Sequence, residues 1–345
     1  MPSQFRIGHS ADFLDEQRVP IFPDIGLSLF NNVAGLEQEF MAEYHPVYQP
    51  GQLANYDVVI SLKPRVTAES LGSADRLTAI GRCGVGYDNV DTAACTDRDI
   101  AVYITPDGVR RPVASSIVLL VLALSHNVVG KDRLVRQGRW ADSTRKLGKE
   151  PRGRVIGTIG LGNIAREALR LLAVFEPARM LAHDPYATAP PAGVEMVSLE
   201  TLLRTSDYVL VNCPLNASTR NLVGEEQLRM MKPDAVLINT ARGPIVNEPA
   251  LVRALREGWI RGAALDVFES EPLPNGSPLV ELENVVLTSH SICWTEEAYR
   301  DIGIIDCTGA LEVYRGRPPA NVVNPAVLDR PGFRAKLARY KEMNG

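Results

Sequence analysis

Six short apolar runs in the second half of the chain, separated by helix-like segments, constrain the fold more than any other feature. Each run is rich in β-branched residues and has the length of one strand: RVIGTIGL, ARMLAHDP, YVLVNCP, AVLINTA, IRGAALDVF and NVVLTSH. Strands that alternate with helices predict βαβ units and therefore a parallel sheet. The first hundred residues carry a similar series, RIGHSA, a stretch around 36–44, DVVISL, LTAIGRCG and IAVYITP, with helix-like segments between them. The sequence thus predicts an α/β chain with two doubly wound parallel sheets.

Length and composition agree with two domains and exclude some partners. At roughly 150 residues per domain, the 345 residues suffice for two, and 45% apolar with 23% charged residues is typical of a soluble globular chain. The 37 basic and 41 acidic residues give a net charge of −4, and no interior block is basic. Nucleic acid is therefore not expected as a partner.

Three further patterns bear on location and on metal binding. The longest unbroken apolar run, Ile117 to Leu124, has eight residues, whereas a membrane-spanning helix needs roughly 20. The amino terminus lacks a basic segment that leads into an apolar one, as a secretory signal would have. The five cysteines are far apart, odd in number and without a CxxC pair. We therefore expect a cytoplasmic protein with free thiols, no membrane span and no metal site.

Two segments outside the strands are predicted to be helical. From Pro112 to about Trp140 the apolar residues recur at helical spacing before the segment turns polar and basic, which predicts one long connecting helix. A second helix is expected from about Thr295 to Tyr314, where the turn-rich stretch RGRPPANVVNP follows.

The turn after the strand Arg154 to Ile159 is predicted to bind a dinucleotide. It reads GxGxxA and leads into a helix: the first glycine permits a tight turn, the second lets the backbone approach a pyrophosphate, and Ala165 allows close helix packing. The phosphates would then lie on the free N–H groups of the helix start. Alone, the pattern is equally compatible with a plain strand-to-helix turn. The residues predicted to bind the cofactor here are Gly160, Gly162, Asn163 and Ile164.

Asp184 favours the cofactor interpretation and indicates which cofactor. It stands 24 residues after Gly160, at the end of the next strand. A carboxylate there accepts hydrogen bonds from both ribose hydroxyls and repels a 2′-phosphate, so it selects NAD over NADP. The alternative is a turn aspartate before Pro185.

Three polar residues follow successive strands in the second half, where open α/β sheets bind ligands. They are Arg242, Glu271 and His290. A histidine with a carboxylate partner is an acid/base for neutral pH, and an arginine fork binds a carboxylate bidentately. Together they would suit redox chemistry on a hydroxy acid. Taken singly, they are equally compatible with a capping arginine, a loop carboxylate and a strand-end histidine.

In its motifs the chain resembles the D-isomer-specific 2-hydroxyacid dehydrogenases. The similarity runs from about residue 50 to 325 and rests on the order and spacing of RCGVGYDNVD, GTIGLGNIA with HDPY, CPLNASTRNL, INTARGPIVNEPALVRAL, GAALDVFESEP and SHSICWTEEA. The resemblance implies an NAD-dependent oxidoreductase that interconverts a D-2-hydroxy acid and its 2-keto acid by hydride transfer.

The resemblance also assigns roles to residues. Arg242 would hold the substrate carboxylate and carbonyl oxygen, His290 would exchange the proton, and Glu271 would hold His290 and favour its charged form. Asp266 would bind the nicotinamide carboxamide. The remaining residues that it implies for the cofactor are Cys213, Pro214, Thr219 and Thr240, and those for the substrate are the amides of Cys83, Gly84, Val85 and Gly86, together with Trp294. Ile292 and Trp294 depart from the usual small residues and would reshape the pocket.

The domain organisation implied by the resemblance is discontinuous. A flavodoxin-like substrate domain, residues 1–106 plus 296–345, would contain an inserted Rossmann NAD domain, residues 107–295. Hinges are expected at the turn-rich Thr105 to Gly108 and after Trp294. An arm at about 112–145 would embrace a second subunit in a homodimer. For Trp140, a buried packing role is favoured over a reach into the partner's pocket.

Other functions remain open on the sequence. An NAD(H)-sensing scaffold, similar to the C-terminal-binding-protein corepressors, shares the ESEP and triad segments. Within the enzymes, the alternatives are a glyoxylate or hydroxypyruvate reductase and a phosphoglycerate dehydrogenase. The phosphoglycerate branch often has arginine where this chain has Ser61, and the formate-oxidising branch has glutamine at the position of Glu271. A phosphorylated substrate and formate are therefore less favoured.

Overall fold

The computed structural model describes residues 4–145 and 147–344. Its contacts divide the chain into two units. The discontinuous unit consists of the chain up to Val109 and from Trp294 onward, and the inserted unit is Arg110–Cys293. The sequence analysis places the same two junctions after residue 106 and before residue 296.

The described residues contain twelve strands, β1 to β12 in chain order: Phe5–His9, Leu36–Phe40, Val58–Ser61, Ala79–Arg82, Ala101–Ile104, Val155–Ile159, Arg179–His183, Val194–Met196, Tyr208–Val211, Val236–Asn239, Gly262–Leu265 and Val285–Leu287. They also contain nine α-helices, α1 to α9: Thr92–Asp97, Pro106–His126, Val128–Arg136, Asn163–Leu172, Leu199–Thr205, Glu225–Met230, Glu248–Arg256, Glu296–Tyr314 and Pro331–Asn344.

The discontinuous unit has a five-stranded parallel sheet in the order β2-β1-β3-β4-β5. This is a doubly wound, flavodoxin-like order, in which ligands bind beyond the carboxyl ends of the strands. Ser61 at the end of β3 pairs with Arg82 at the end of β4, so the loops that follow these two strands leave the same edge side by side.

The segments between the first strands of this sheet are not the helices that the sequence predicts. The helix-like segments expected between its first strands are turns and short 3-10 helices, Ala11–Phe13 and Leu27–Phe30, because prolines, glycines and asparagines interrupt them. The late helix is confirmed: Thr295 caps α8 by accepting a hydrogen bond from the Ala298 amide. α8 packs against β3 and β4, so a segment from the end of the chain covers the first sheet.

The inserted unit has a seven-stranded parallel sheet in the order β12-β11-β10-β9-β6-β7-β8. The order reverses direction between β6 and β9, which is the position where Rossmann sheets bind dinucleotides. β9, β10 and β11 are buried along their whole length, as strands covered on both faces are. Leu237 of β10 belongs to one apolar cluster, while its neighbours Val236 and Ile238 belong to another. The predicted fold class is confirmed.

The connecting helix is longer at its start than predicted, and it is broken. α2 begins at Pro106, because the fixed φ of proline suits the first turn and its missing N–H is not needed there. The stretch from Thr105 to Gly108 thus leads into a helix although its composition is turn-rich, and the hinge expected there stays a prediction. α2 ends at His126, and the next residue, Asn127, has a left-handed φ of 51° before α3 begins. The prediction of a single helix from Pro112 to Trp140 is wrong, because the left-handed Asn127 interrupts it and α3 ends at Arg136.

Among the described residues, α2 alone is long and apolar enough to cross a membrane by length and composition. The eight-residue run that was judged too short lies inside this helix of 21 residues. Half of its apolar window is buried in the fold, and Ile117, Leu120, Val121 and Leu124 belong to a core cluster of the inserted unit. That burial is typical of a core helix.

Candidate active site

The turn after β6 requires glycine at its first position and leaves open space at its third. Gly160 has a φ of 94°, and a Cβ on it would lie 2.7 Å from backbone atoms of Asn212 and Cys213. A Cβ on Gly162 would meet nothing within 4 Å. α4 begins at the next residue, Asn163, without a side-chain cap. The open space and the uncapped N–H groups of Asn163 and Ile164 fit a dinucleotide pyrophosphate.

Asp184 is fixed beside this turn. It follows β7, its Oδ2 accepts a hydrogen bond of 2.8 Å from the Leu161 amide, and its Oδ1 accepts one of 2.8 Å from the Tyr186 amide. The carboxylate therefore closes its own turn and also joins the glycine turn. Each oxygen keeps a lone pair for a ribose hydroxyl.

Arg242 is positioned by a buried residue that the sequence analysis did not identify. Asn239, the last residue of β10, is 1% exposed. Its Nδ2 donates to the Arg242 carbonyl at 2.9 Å, and its Oδ1 accepts from the Ala241 amide at 3.0 Å. These bonds close the turn that carries Thr240 and Arg242. A polar residue at the end of an otherwise apolar strand was the only available signal for Asn239.

The next residue, Gly243, brings the Glu271 loop against this turn. A Cβ on Gly243 would collide with the backbone of Phe268, so only glycine permits this approach. The Phe268 amide donates to Glu271 Oε1 at 3.0 Å. Glu271 Oε2 lies 2.7 Å from His290 Nδ1. The structure thus joins two of the three residues predicted to be catalytic by a direct hydrogen bond.

His290 has a φ of 54°, an uncommon conformation for any residue other than glycine. Asp266, which is 3% exposed, holds the surrounding turn. Its Oδ1 accepts hydrogen bonds from the Thr288 hydroxyl at 2.7 Å, the Ser291 amide at 3.1 Å and the Ile292 amide at 3.2 Å. Asp266 therefore positions His290, a role the sequence analysis did not foresee.

The positive charges of His290 and Arg242 stabilise the ionised form of Glu271. Partial burial of Glu271 opposes its ionisation, but the hydrogen bond and charge of His290, the Phe268 amide and the charge of Arg242 outweigh burial and lower the pKa of Glu271. Glu271 is then a carboxylate at neutral pH. Because His290 Nδ1 is committed to Glu271, Nε2 is the nitrogen that can exchange a proton with a substrate.

The other residues predicted to contact the cofactor lie in loops after β9 and β10. The Thr219 hydroxyl donates to the Pro214 carbonyl at 2.6 Å and accepts from the Asn216 amide at 2.8 Å. Thr219 thus stabilises the loop that begins with Cys213 and Pro214. Since parallel strands end at one edge, these loops and the glycine turn share the carboxyl edge of the sheet.

In the discontinuous unit, two of the four amides predicted to bind the substrate carboxylate are already engaged. The Cys83 amide donates to the Ser61 carbonyl at 2.9 Å, and the Gly84 amide donates to the Thr105 hydroxyl at 2.9 Å. Within residues 4–145 and 147–344, the amides of Val85 and Gly86 have no hydrogen-bond partner. The assignment of this loop to the substrate carboxylate stays a prediction, and the amides of Val85 and Gly86 are the two that, within the described chain, have no partner to give up.

Trp294 and Ile292 have different surroundings. Trp294 is 38% exposed and packs edge-on against Phe22 and Tyr299, with Lys63 Nζ 5.5 Å from its ring centroid. Ile292 instead packs against a core cluster of the inserted unit. Ile292 is only partly buried there, so its predicted role in the pocket stays a prediction. Phe22 was missed because it lies in a loop far from Trp294 in the sequence.

The comparisons with known proteins agree with the dinucleotide-binding geometry of the inserted unit. The model of the D-isomer specific 2-hydroxyacid dehydrogenase NAD-binding domain matches residues 118–291. The chain belongs to this family. As predicted, it is an NAD-dependent D-2-hydroxyacid dehydrogenase.

Relatives of this dehydrogenase align over most of its length. Glyoxylate reductase of Thermofilum pendens is 36% identical over 329 residues, which cover 92% of this chain and 96% of the relative. D-3-phosphoglycerate dehydrogenase of Methanocaldococcus jannaschii is 36% identical, but the match covers 91% of this chain and 58% of that relative. The crystal structure of a glyoxylate reductase from Paecilomyes thermophila aligns with a TM-score of 0.80 and 26% identity, over 94% of this chain and 99% of that one. An NAD(H)-sensing scaffold finds no support among these relatives.

Proposed function

We propose that this dehydrogenase reduces a short, unphosphorylated 2-keto acid of the glyoxylate class to its 2-hydroxy acid. The observation that carries the proposal is the His290–Glu271 pair, with the charge of Arg242 acting on Glu271, at the same sheet edge as the glycine turn. A short side chain suits the Phe22, Tyr299 and Trp294 cluster, which presents bulky rings beside Lys63 in the loop that follows β3. The glyoxylate reductase of Thermofilum pendens aligns over nearly its whole length, which supports the same substrate class.

In the proposed mechanism, each residue has one task. Arg242 binds the substrate and stabilises the negative charge that develops on its carbonyl oxygen. His290, as the imidazolium, donates the Nε2 proton to that oxygen, and Glu271 stabilises the imidazolium. The amides of Val85 and Gly86 bind the substrate carboxylate. In the reverse direction, neutral His290 accepts the hydroxyl proton.

The proposed cofactor contacts are those of the inserted unit's carboxyl edge. Gly160, Gly162, Asn163 and Ile164 would hold the pyrophosphate, Asp184 the ribose, and Asp266 the carboxamide. When bound there, NADH would supply the hydride that reduces the keto acid. Loops at Cys213, Pro214, Thr219 and Thr240 would form the walls. Because Asp184 repels a 2′-phosphate, we expect NADH to be preferred over NADPH.

We further propose a cytoplasmic homodimer that associates through the segment at about 112–145. Large apolar side chains are exposed in this segment and just after it. Their exposed fractions are 55% for Leu119, 55% for Val135, 74% for Trp140 and 80% for Leu147. Such a concentration of exposed apolar side chains is typical of an interface. The expected burial of Trp140 within its own chain is wrong. All five cysteines are free thiols, which suits a reducing compartment.

The test is the loss of NADH absorbance with a panel of 2-keto acids: glyoxylate, hydroxypyruvate, pyruvate and phosphohydroxypyruvate. We expect the highest kcat/KM with glyoxylate or hydroxypyruvate, and a lower one with NADPH. The highest kcat/KM with phosphohydroxypyruvate would replace the proposal with phosphoglycerate dehydrogenase. No turnover with any of these acids, with NADH still bound, would overturn it.

A further inference from the structure

One carboxylate of the discontinuous unit has no part in the proposed reaction and yet lies directly behind the substrate loop. Asp306, on α8, is 1% exposed. A Cβ on Gly81 of β4 would lie 2.9 Å from Asp306 Oδ1. The carboxylate is therefore pressed against the strand that ends in Arg82 and continues into the loop Cys83 to Gly86.

Asp306 lacks the hydrogen bonds that a buried carboxylate normally has. Within the described part of the chain, no nitrogen or oxygen donor reaches either of its carboxylate oxygens. The Cys83 thiol and the charge of Arg82 face it. A small cavity adjoins it, with apolar walls that include Phe13, Ile25 and Ile60.

The titratable and charged groups around Asp306 come from four directions. The packed elements β3 and the 3-10 helix Leu27–Phe30 contribute none. The groups that face Asp306 or its cavity are Arg82 and Cys83 at the end of β4, His9 of β1, Tyr103 of β5, and Tyr299 and Cys307 of α8.

Arg82 links Asp306 to the loop. Its Nη1 donates to the Cys83 carbonyl, and a Cβ on Gly84 would collide with the same nitrogen. The guanidinium therefore lies along the loop whose Val85 and Gly86 amides are open to an anion. A change of charge on Asp306 acts on this guanidinium and on the loop through low-dielectric protein, where charges interact strongly.

We propose that Asp306 is a positioning residue: its neutral form lets the loop backed by Arg82 bind the substrate carboxylate, and its ionised form weakens that binding. The inference rests on the proposed function, since it assumes that the substrate anion binds to the Val85 and Gly86 amides.

The direction of the pH effect follows from burial. Burial raises the pKa of Asp306 to about 8, against the opposing charge of Arg82 and the Cys83 hydrogen bond. Burial also lowers the pKa of His9 to about 4 and raises the pKa values of Cys83, Cys307 and Tyr103, so these four stay neutral near pH 8. Below about pH 8, Asp306 is uncharged; above it, a negative charge appears behind the loop and repels the substrate.

The first experiment measures KM for the keto acid and for NADH across pH 6 to 10 in the wild type and in Asp306→Asn, which keeps the side-chain shape but cannot ionise. The matched control is Asp301→Asn, an exposed carboxylate on the same helix that pairs with Arg300. Between about pH 6.5 and 9.5 we expect KM for the keto acid to rise on the order of tenfold in the wild type and the control. In D306N the rise of this KM should be smaller, because only the loss of the His290 proton then contributes, and KM for NADH should not follow the trend in any of the three.

The same rise of KM in D306N as in the wild type would overturn the inference. Turnover with no keto acid in any variant would instead overturn the proposed function, so the two failures are distinguishable.

A second measurement does not depend on D306N folding. Calorimetric binding of oxamate, an unreactive keto-acid mimic, to the NADH-bound His290→Gln protein at about pH 8.5 should take up protons, because binding favours neutral Asp306. The heat should therefore change with the ionisation enthalpy of the buffer. Binding without proton uptake would contradict the proposal, and His290 cannot contribute in this background.

Discussion

The ionisable side chains near the carboxyl edges of the two sheets differ in their exposure and in their hydrogen bonding. At the edge of the inserted unit, the side chains of His290 and Glu271 are 41% and 36% exposed and are hydrogen-bonded to each other. At the edge of the discontinuous unit, Asp306 is buried without a nitrogen or oxygen donor. A group near water with a charged partner ionises at little cost, whereas a buried, unpartnered one has its pKa displaced. Under the proposed function, the groups that exchange protons during turnover have a partner that stabilises their charge, whereas the group proposed to tune affinity is buried where its charge is disfavoured.

The largest effect should come from removing the proton donor of the inserted edge. His290→Gln should lower kcat by about 10²- to 10⁴-fold, because general acid/base catalysis contributes that much. NADH affinity should change little. Steady-state kinetics and a fluorescence titration of NADH measure the two quantities.

His126→Gln is the matched control, since His126 is an exposed histidine at the end of α2. It should leave kcat unchanged. A wild-type turnover rate in H290Q would contradict the assignment of His290 as the proton donor.

A smaller effect is expected from Arg242→Lys. Lysine keeps the positive charge but loses the planar fork that binds a carboxylate with two parallel hydrogen bonds. We expect kcat/KM for the keto acid to fall by about 10- to 100-fold, with KM for NADH little changed. The exposed Arg204, changed to lysine, is the control. Equal losses in R204K and R242K would assign the effect to general stability.

The smallest effect separates the two glycines of the cofactor turn. Gly160→Ala places a Cβ at a left-handed φ and against the backbone of Asn212 and Cys213, so the free energy of unfolding should fall by about 1 to 3 kcal/mol. Gly162→Ala meets open space and should leave the melting temperature unchanged while weakening NADH binding. Thermal melts with and without NADH measure both. A lower melting temperature in G162A without cofactor would contradict this assignment.

Much of the inserted unit could be predicted because its signals are local. The strand-turn-helix pattern around Gly160 and the carboxylate at Asp184 each lie within a few residues of the strand that positions them. Periodicity and turn chemistry act over that range. Arg242, Glu271 and His290 also follow their strands directly, so their placement at one sheet edge follows from the parallel topology.

Contacts between segments far apart in the chain could not be predicted. The Cys83 and Gly84 amides are engaged by Ser61 and Thr105, which belong to other strands and loops. Asp266 positions the His290 turn through bonds to the Ser291 and Ile292 amides, which lie 25 and 26 residues further along the chain. No pattern along the chain indicates such bonds.

The sequence by itself determined the parallel sheets, the family, NAD as the cofactor and the placement of three polar residues at one sheet edge, because these depend on local propensity and on motifs of fixed spacing. Only the tertiary structure decided which loop amides are open to an anion, how the His290 turn is held, and that Asp306 of α8 lies behind the loop of β4. Those features arise where segments far apart in the chain meet, and burial at such contacts determines which charges are favourable.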